Sequence, residues 1–158
     1  MPGSRPAEAR VVGIGVDIVD LTRMARFLHR YPDRSLRMIL GGAELAQVRC
    51  SPSPAVRLGI SFGTKEACGK ALGTGLAGLA WTDIEAGVES VIAGDADGEV
   101  GDDGWAVREV GVALHGAARN RAARLGIERW AARAWPLRPG ALMVCAFATT
   151  GSAAGTTN

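Results

Sequence analysis

The chain has 158 residues, of which 47% are hydrophobic and 22% charged, with a formal net charge of +2. That length suits one domain, the apolar share excludes a largely disordered chain, and so small a net charge gives no argument for a nucleic-acid partner. Cys50, Cys68 and Cys145 form no CxxC pattern, so free thiols in a reducing compartment are expected rather than a disulfide framework.

Residues 1–10, MPGSRPAEAR, are polar and read as a flexible tail without the apolar region of a signal peptide. VVGIGVDIVD (11–20) is β-branched and reads as a buried strand; it is too short to span a bilayer, so a cytoplasmic protein without membrane contact is expected. In LTRMARFLHR (21–30), Leu21, Met24, Phe27 and Leu28 recur at helical spacing, and Asp20 precedes them as an N-cap. YPDRS reads as a turn, SLRMIL and GGAELAQVRC as a broken helix, and SPSP (51–54) as a loop. A helix is predicted from about Val56 to Leu72, closed by Gly73 at its C-cap.

WTDIEAGVESVIA reads as a strand and GDADGEVGDDG (94–104) as a surface turn. WAVREVGVAL reads as a strand, GAARNRAARLG as a basic helix and ERWAARAW as a strand. After a loop at Pro136–Gly140, ALMVCAFATT reads as a final buried strand, and GSAAGTTN (151–158) as a second tail. The pattern is α+β, with one domain over residues 11–150 and its strands clustered in the second half.

Two stretches carry chemistry. Asp17 interrupts an apolar strand, and a buried carboxylate must be paired, hydrogen-bonded or bound to a metal unless it sits at a turn or cap. In SFGTKEACGKALGTG (61–75), Glu66 and Lys70 share one helical stripe flanked by Phe62 and Gly73, while Lys65 lies roughly 100° around the helix. An ordinary ion pair on a solvated face would explain Glu66 and Lys70. Gly69, however, costs about 1 kcal/mol against alanine inside a helix. That cost makes sense where a ligand or another backbone comes close. Gly73, Thr74 and Gly75 then present backbone N–H groups at a turn suited to phosphate oxygens. An acid for a metal, lysines for phosphate charge and glycines for close approach together suit a magnesium–pyrophosphate ligand.

Similar motifs fail on spacing. GTKEACGK is one residue too long for a P-loop and lacks its hydroxyl residue; Gly13-Ile14-Gly15 lacks the third glycine of a dinucleotide fingerprint. Gly98 falls at the wrong position of DADGEVGDD for an EF-hand. His29 and His115 are isolated and read as structural or exposed residues.

GIGVDIVDLTR (13–23) followed by FGTKEACGKALGTG (62–75) resembles the holo-[acyl-carrier-protein] synthase family of 4′-phosphopantetheinyl transferases, in order, spacing and character. The resemblance implies a 4′-phosphopantetheinyl transferase-like fold, an antiparallel sheet packed with helices. It implies transfer of phosphopantetheine from coenzyme A to a serine of an apo acyl carrier protein, with release of adenosine 3′,5′-bisphosphate. Mg²⁺ would be held by Asp17 and Glu66, with Lys70 on the phosphate and Lys65, Gly73, Thr74 and Gly75 lining the coenzyme A pocket. Arg23 would meet acidic groups of the carrier protein, with Arg26 and Arg30 extending that docking face; a homotrimer with sites between subunits is also implied.

The chain departs from the family pattern in three places, the first being GDDGWAV where the family has a Gly-Lys-Pro turn. Ala46 stands where many relatives carry an acid, and the segment around ARAWPLRPG has no histidine, so no side chain is assigned as general base. These departures leave open a carrier-binding subunit without turnover. Another magnesium-dependent nucleotide-binding enzyme also remains open.

Overall fold

A computed structural model of the chain describes residues 9–91, 107–138 and 140–151. The turn expected at 94–104 and most of both tails lie outside these residues. In chain order the elements are β1 (Arg10–Asp20), α1 (Leu21–Arg30), α2 (Asp33–Leu36), α3 (Gly42–Cys50) and α4 (Pro54–Ala71). A 3-10 turn (Trp81–Asp83), β2 (Ile84–Val91), β3 (Arg108–Leu114), α5 (Gly116–Arg124), β4 (Arg129–Arg138) and β5 (Ala141–Thr150) follow. The strands form one sheet in the order β1-β5-β4-β3-β2, every pair antiparallel. The α+β architecture is therefore observed.

The helices form where local signals place them. Asp20 Oδ1 accepts from the backbone N–H of Thr22 at 2.8 Å and of Arg23 at 3.1 Å, capping α1. Pro54 opens α4, where a missing N–H costs nothing, and Gly73 follows its last turn at φ +80°. The YPDRS turn is instead the start of the short helix α2. Strand β4 runs through Pro136 to Arg138, where a loop was expected. Within β4, Pro136 stands opposite Leu142 of β5. The tip of the β4–β5 hairpin also anchors α1, since Leu21 N donates to Gly140 O at 2.8 Å.

α4 crosses the inner face of the sheet against β1 and β5. Leu58, Ile60, Leu72, Ile84, Leu142 and Val144 are fully buried there. This packing corrects the reading of β1. Among the described residues it is an edge strand paired to β5, and apart from Val19 its β-branched side chains face outward: Ile14 is 57% and Ile18 65% exposed. The face turned to α4 carries Gly13, Gly15, Asp17 and Val19. A Cβ at Gly15 would lie 1.8 Å from Ala67 O, and one at Gly13 2.3 Å from Ala71 O. Strand and helix thus touch backbone to backbone. Gly15→Ala is expected to lower stability by about 3 kcal/mol, because a helical carbonyl cannot step aside; a shift of the urea unfolding midpoint measures it.

Candidate functional site

That close contact sets the site. Asp17, on the α4-facing side of β1, directs its carboxylate toward the exposed edge of α4. Lys70 Nζ donates to Asp17 Oδ1 and to Val16 O, both at 2.8 Å. The Asp17 side chain is 16% exposed and that of Lys70 46%, so the pair sits at the border of core and solvent. Asp17 is therefore paired rather than capping a turn, and Lys70 reaches across to β1.

Glu66 joins them. Burial raises its carboxyl above the ordinary value, the neighbouring Asp17 charge raises it further, and Lys70 pulls the other way. Two carboxylates and one ammonium lie within electrostatic reach of one another, so the site carries unbalanced negative charge. The structure thus brings together Asp17, Glu66 and Lys70 from segments far apart in sequence. Among the described residues no cluster of three or more His, Cys, Asp or Glu forms. Two hard oxygen donors nevertheless fit Mg²⁺, which takes one or two carboxylates and completes its shell with water and phosphate.

The glycine turn lies at the end of the same helix. Gly73 and Gly75 have φ of +80° and +57°. A Cβ at Gly69 would lie 2.8 Å from both the carbonyl carbon and oxygen of Gly75. The mid-helix glycine thus admits another stretch of backbone, which folds Thr74–Gly75 back over α4.

Lys65 is elsewhere. Its side chain is fully buried, and its ammonium donates to Glu44 Oε2 at 2.8 Å, to Trp81 O at 3.0 Å and to Ile84 O. Every N–H is taken inside the core, which corrects the expectation that Lys65 lines a ligand pocket. Burial lowers its affinity for the proton, partly offset by Glu44. Glu44 also accepts from Gly41 N at 2.8 Å and Ala86 N at 3.0 Å, so one carboxylate ties α3, α4 and β2 together. Sequence reading missed this role; glutamate three residues after Gly41 at a helix start was the available signal.

Arg23, Arg26 and Arg30 are exposed on α1, with Met24 buried beneath and Phe27 and Leu28 partly covered. Exposed Arg34 and Arg37 prolong the basic row. The cysteines are all free; burial pushes the Cys68 thiol up to about 12 and raises Cys145, so neither is a nucleophile at neutral pH. A cleft of about 380 Å³ lined by residues including Gln47, Cys50, Ser53, Arg57 and Arg108 contains neither Asp17 nor Glu66.

The fold is that of the holo-[acyl-carrier-protein] synthases. The Neisseria meningitidis synthase superposes with a TM-score of 0.66 at 24% identity, over 88% of this chain and 98% of that one. The Helicobacter pylori synthase, solved in complex with coenzyme A, superposes with a TM-score of 0.60 at 20% identity, over 85% and 98%. The family model of the 4′-phosphopantetheinyl transferase superfamily matches residues 13–124, and the chain belongs to that family. The holo-[acyl-carrier-protein] synthase of Solidesulfovibrio magneticus is 39% identical over 119 residues, 75% of this chain and 82% of the relative. Several other curated relatives are matched over 42% to 64% of their own length.

Proposed function

We propose that this chain transfers the 4′-phosphopantetheine group of coenzyme A to a serine hydroxyl of an apo acyl carrier protein, with Mg²⁺, releasing adenosine 3′,5′-bisphosphate. The convergence of Asp17, Glu66 and Lys70 on one border of the α4–β1 contact carries this reading. The coenzyme A in the Helicobacter pylori structure supports the choice of donor.

Asp17 and Glu66 are the pair that would hold Mg²⁺. Bound there, the ion neutralises diphosphate charge and orients the phosphorus for attack. Lys70 places a positive charge against the leaving phosphate, and the Gly73–Thr74–Gly75 backbone approaches the donor closely. The serine oxygen bonds to the phosphorus nearest pantetheine as the bond to the nucleotide's phosphate oxygen breaks. With no side chain assigned as base, the serine proton passes through water to the departing nucleotide phosphate. Positioning and electrostatics, rather than a covalent enzyme intermediate, do the chemistry.

The carrier protein docks on the row Arg23, Arg26 and Arg30, since carriers are acidic and the row is exposed. Reversing Arg23 and Arg26 to glutamate is expected to weaken carrier binding roughly tenfold or more at low salt, with little change in coenzyme A affinity. Binding by the parent falls steeply with salt. Titration at two ionic strengths checks both.

A homotrimer would cover the outward apolar face of β1, where Val11, Val12, Ile14, Val16 and Ile18 are all exposed. Light scattering reads that mass. No helix among the described residues is long and apolar enough to cross a membrane; a cytoplasmic site of action and a single domain over 11–150 complete the proposal.

Incubating apo carrier proteins with the chain, coenzyme A and Mg²⁺ is expected to add one phosphopantetheine mass to one serine. Ala46 and the histidine-free ARAWPLRPG segment favour a second reading, a carrier-binding subunit without turnover. Coenzyme A binding with no gain in carrier mass would select it.

A further inference from the structure

Arg121 lies on α5, outside the motifs that led to the site. Its Nε donates to Leu72 O at 3.2 Å, at the C-cap of α4. Its Nη2 lies 3.9 Å from where a Cβ on Gly73 would stand, so the guanidinium rests beside the Gly73–Thr74–Gly75 turn. It is partly buried, and Leu72 O is its only polar partner among the described residues. Other arginines are better matched: Arg57 donates to Gln47, Ser61, Ala86 O and Gly87 O, and Arg49 to Asp33. A partly buried guanidinium with one acceptor and no carboxylate has donors to spare for an anion.

The turn makes the same demand. The C-terminal end of a helix carries partial negative charge, which by itself repels phosphate. Arg121 neutralises that end by binding Leu72 O. Neither the Thr74 nor the Gly75 N–H meets an acceptor among the described residues. Lys70 stands one turn earlier on α4.

We propose that Arg121 binds a phosphate group of the nucleotide substrate, closing a cradle with Lys70 and the Thr74–Gly75 N–H groups. The inference rests on the function proposed above and adds a residue from a separate element to its donor site. Coenzyme A offers two such groups, the diphosphate and the 3′-phosphate.

Arg121→Ala, Arg121→Gln and Arg121→Lys should be compared with the parent for coenzyme A and dephospho-coenzyme A binding by calorimetry. KM, kcat and melting temperature complete the comparison. Arg121→Ala and Arg121→Gln are expected to raise Kd and KM roughly tenfold or more, with kcat within about twofold, and Arg121→Lys to recover most of the loss. A penalty seen equally with dephospho-coenzyme A places the contact on the diphosphate; a penalty confined to coenzyme A places it on the 3′-phosphate. Unchanged Kd and KM in both uncharged variants, with only a lower melting temperature, would reduce Arg121 to a helix cap and overturn the inference while leaving the proposed function standing. A parent that binds no coenzyme A would overturn both.

Discussion

Under the proposed function, Asp17→Ala and Glu66→Ala are each expected to reduce magnesium-dependent transfer by at least about a thousandfold, because either change would remove one of the two anionic donors assigned to the ion. The double variant should be little worse than either single one, as groups acting as a unit are not additive. The fold should survive both changes. Asp17 and Glu66 stand at the border of core and solvent, and neither anchors a helix end or a strand pairing. Removing Glu66 also relieves the crowding that raises its carboxyl, so Glu66→Ala should melt no lower than the parent. Mass spectrometry of the carrier, alongside circular dichroism, checks this; full activity in the double variant would remove the proposed chemical centre.

The second large effect is on stability. Lys65→Met leaves the Glu44 carboxylate buried with two backbone N–H groups and no counter-charge, while Glu44→Leu leaves an ammonium buried on two carbonyls. Breaking such a pair is expected to cost about 3–5 kcal/mol. The double variant Glu44→Leu with Lys65→Met should recover a substantial part, since it removes the second buried charge together with the first. A urea-denaturation double-mutant cycle measures the coupling. Independent, additive costs would show that the pair does not act as one unit. Because Lys65 precedes Glu66 on α4, the single variants should also weaken Mg²⁺-dependent turnover.

The helices and the family were legible in the sequence because their signals are local. Asp20 before a 3.6-residue periodicity and glycine after the end of α4 each act within a few residues, whereas Pro54, placed in a loop, is the first residue of α4. The face of β1 was not legible, because it depends on which side α4 covers. Val, Ile and Gly alternate there, and the small residues turn inward only because a helix backbone arrives. Helical spacing sets Lys65 roughly 100° from the Glu66–Lys70 stripe but does not say which direction is the core. Lys65 points into the core and Lys70 to its rim, a difference fixed by how α4 is rotated on the sheet. Gly69 posed the right question, since the sequence required something close to it; that partner is the chain's own Gly75. Arg121 carried no sequence signal, because α5 meets the end of α4 only in the folded chain.

The bare contact of Gly13 and Gly15 with α4 works as a fixed ruler. The span between strand and helix is measured main chain to main chain, with no side chain that substitution could shorten. Refitting the paired acids to a cation of larger radius would have to slide or tilt the whole helix. Selection for altered ion preference should therefore yield changes at the far end of α4 and in its flanking loops, and leave both glycines alone.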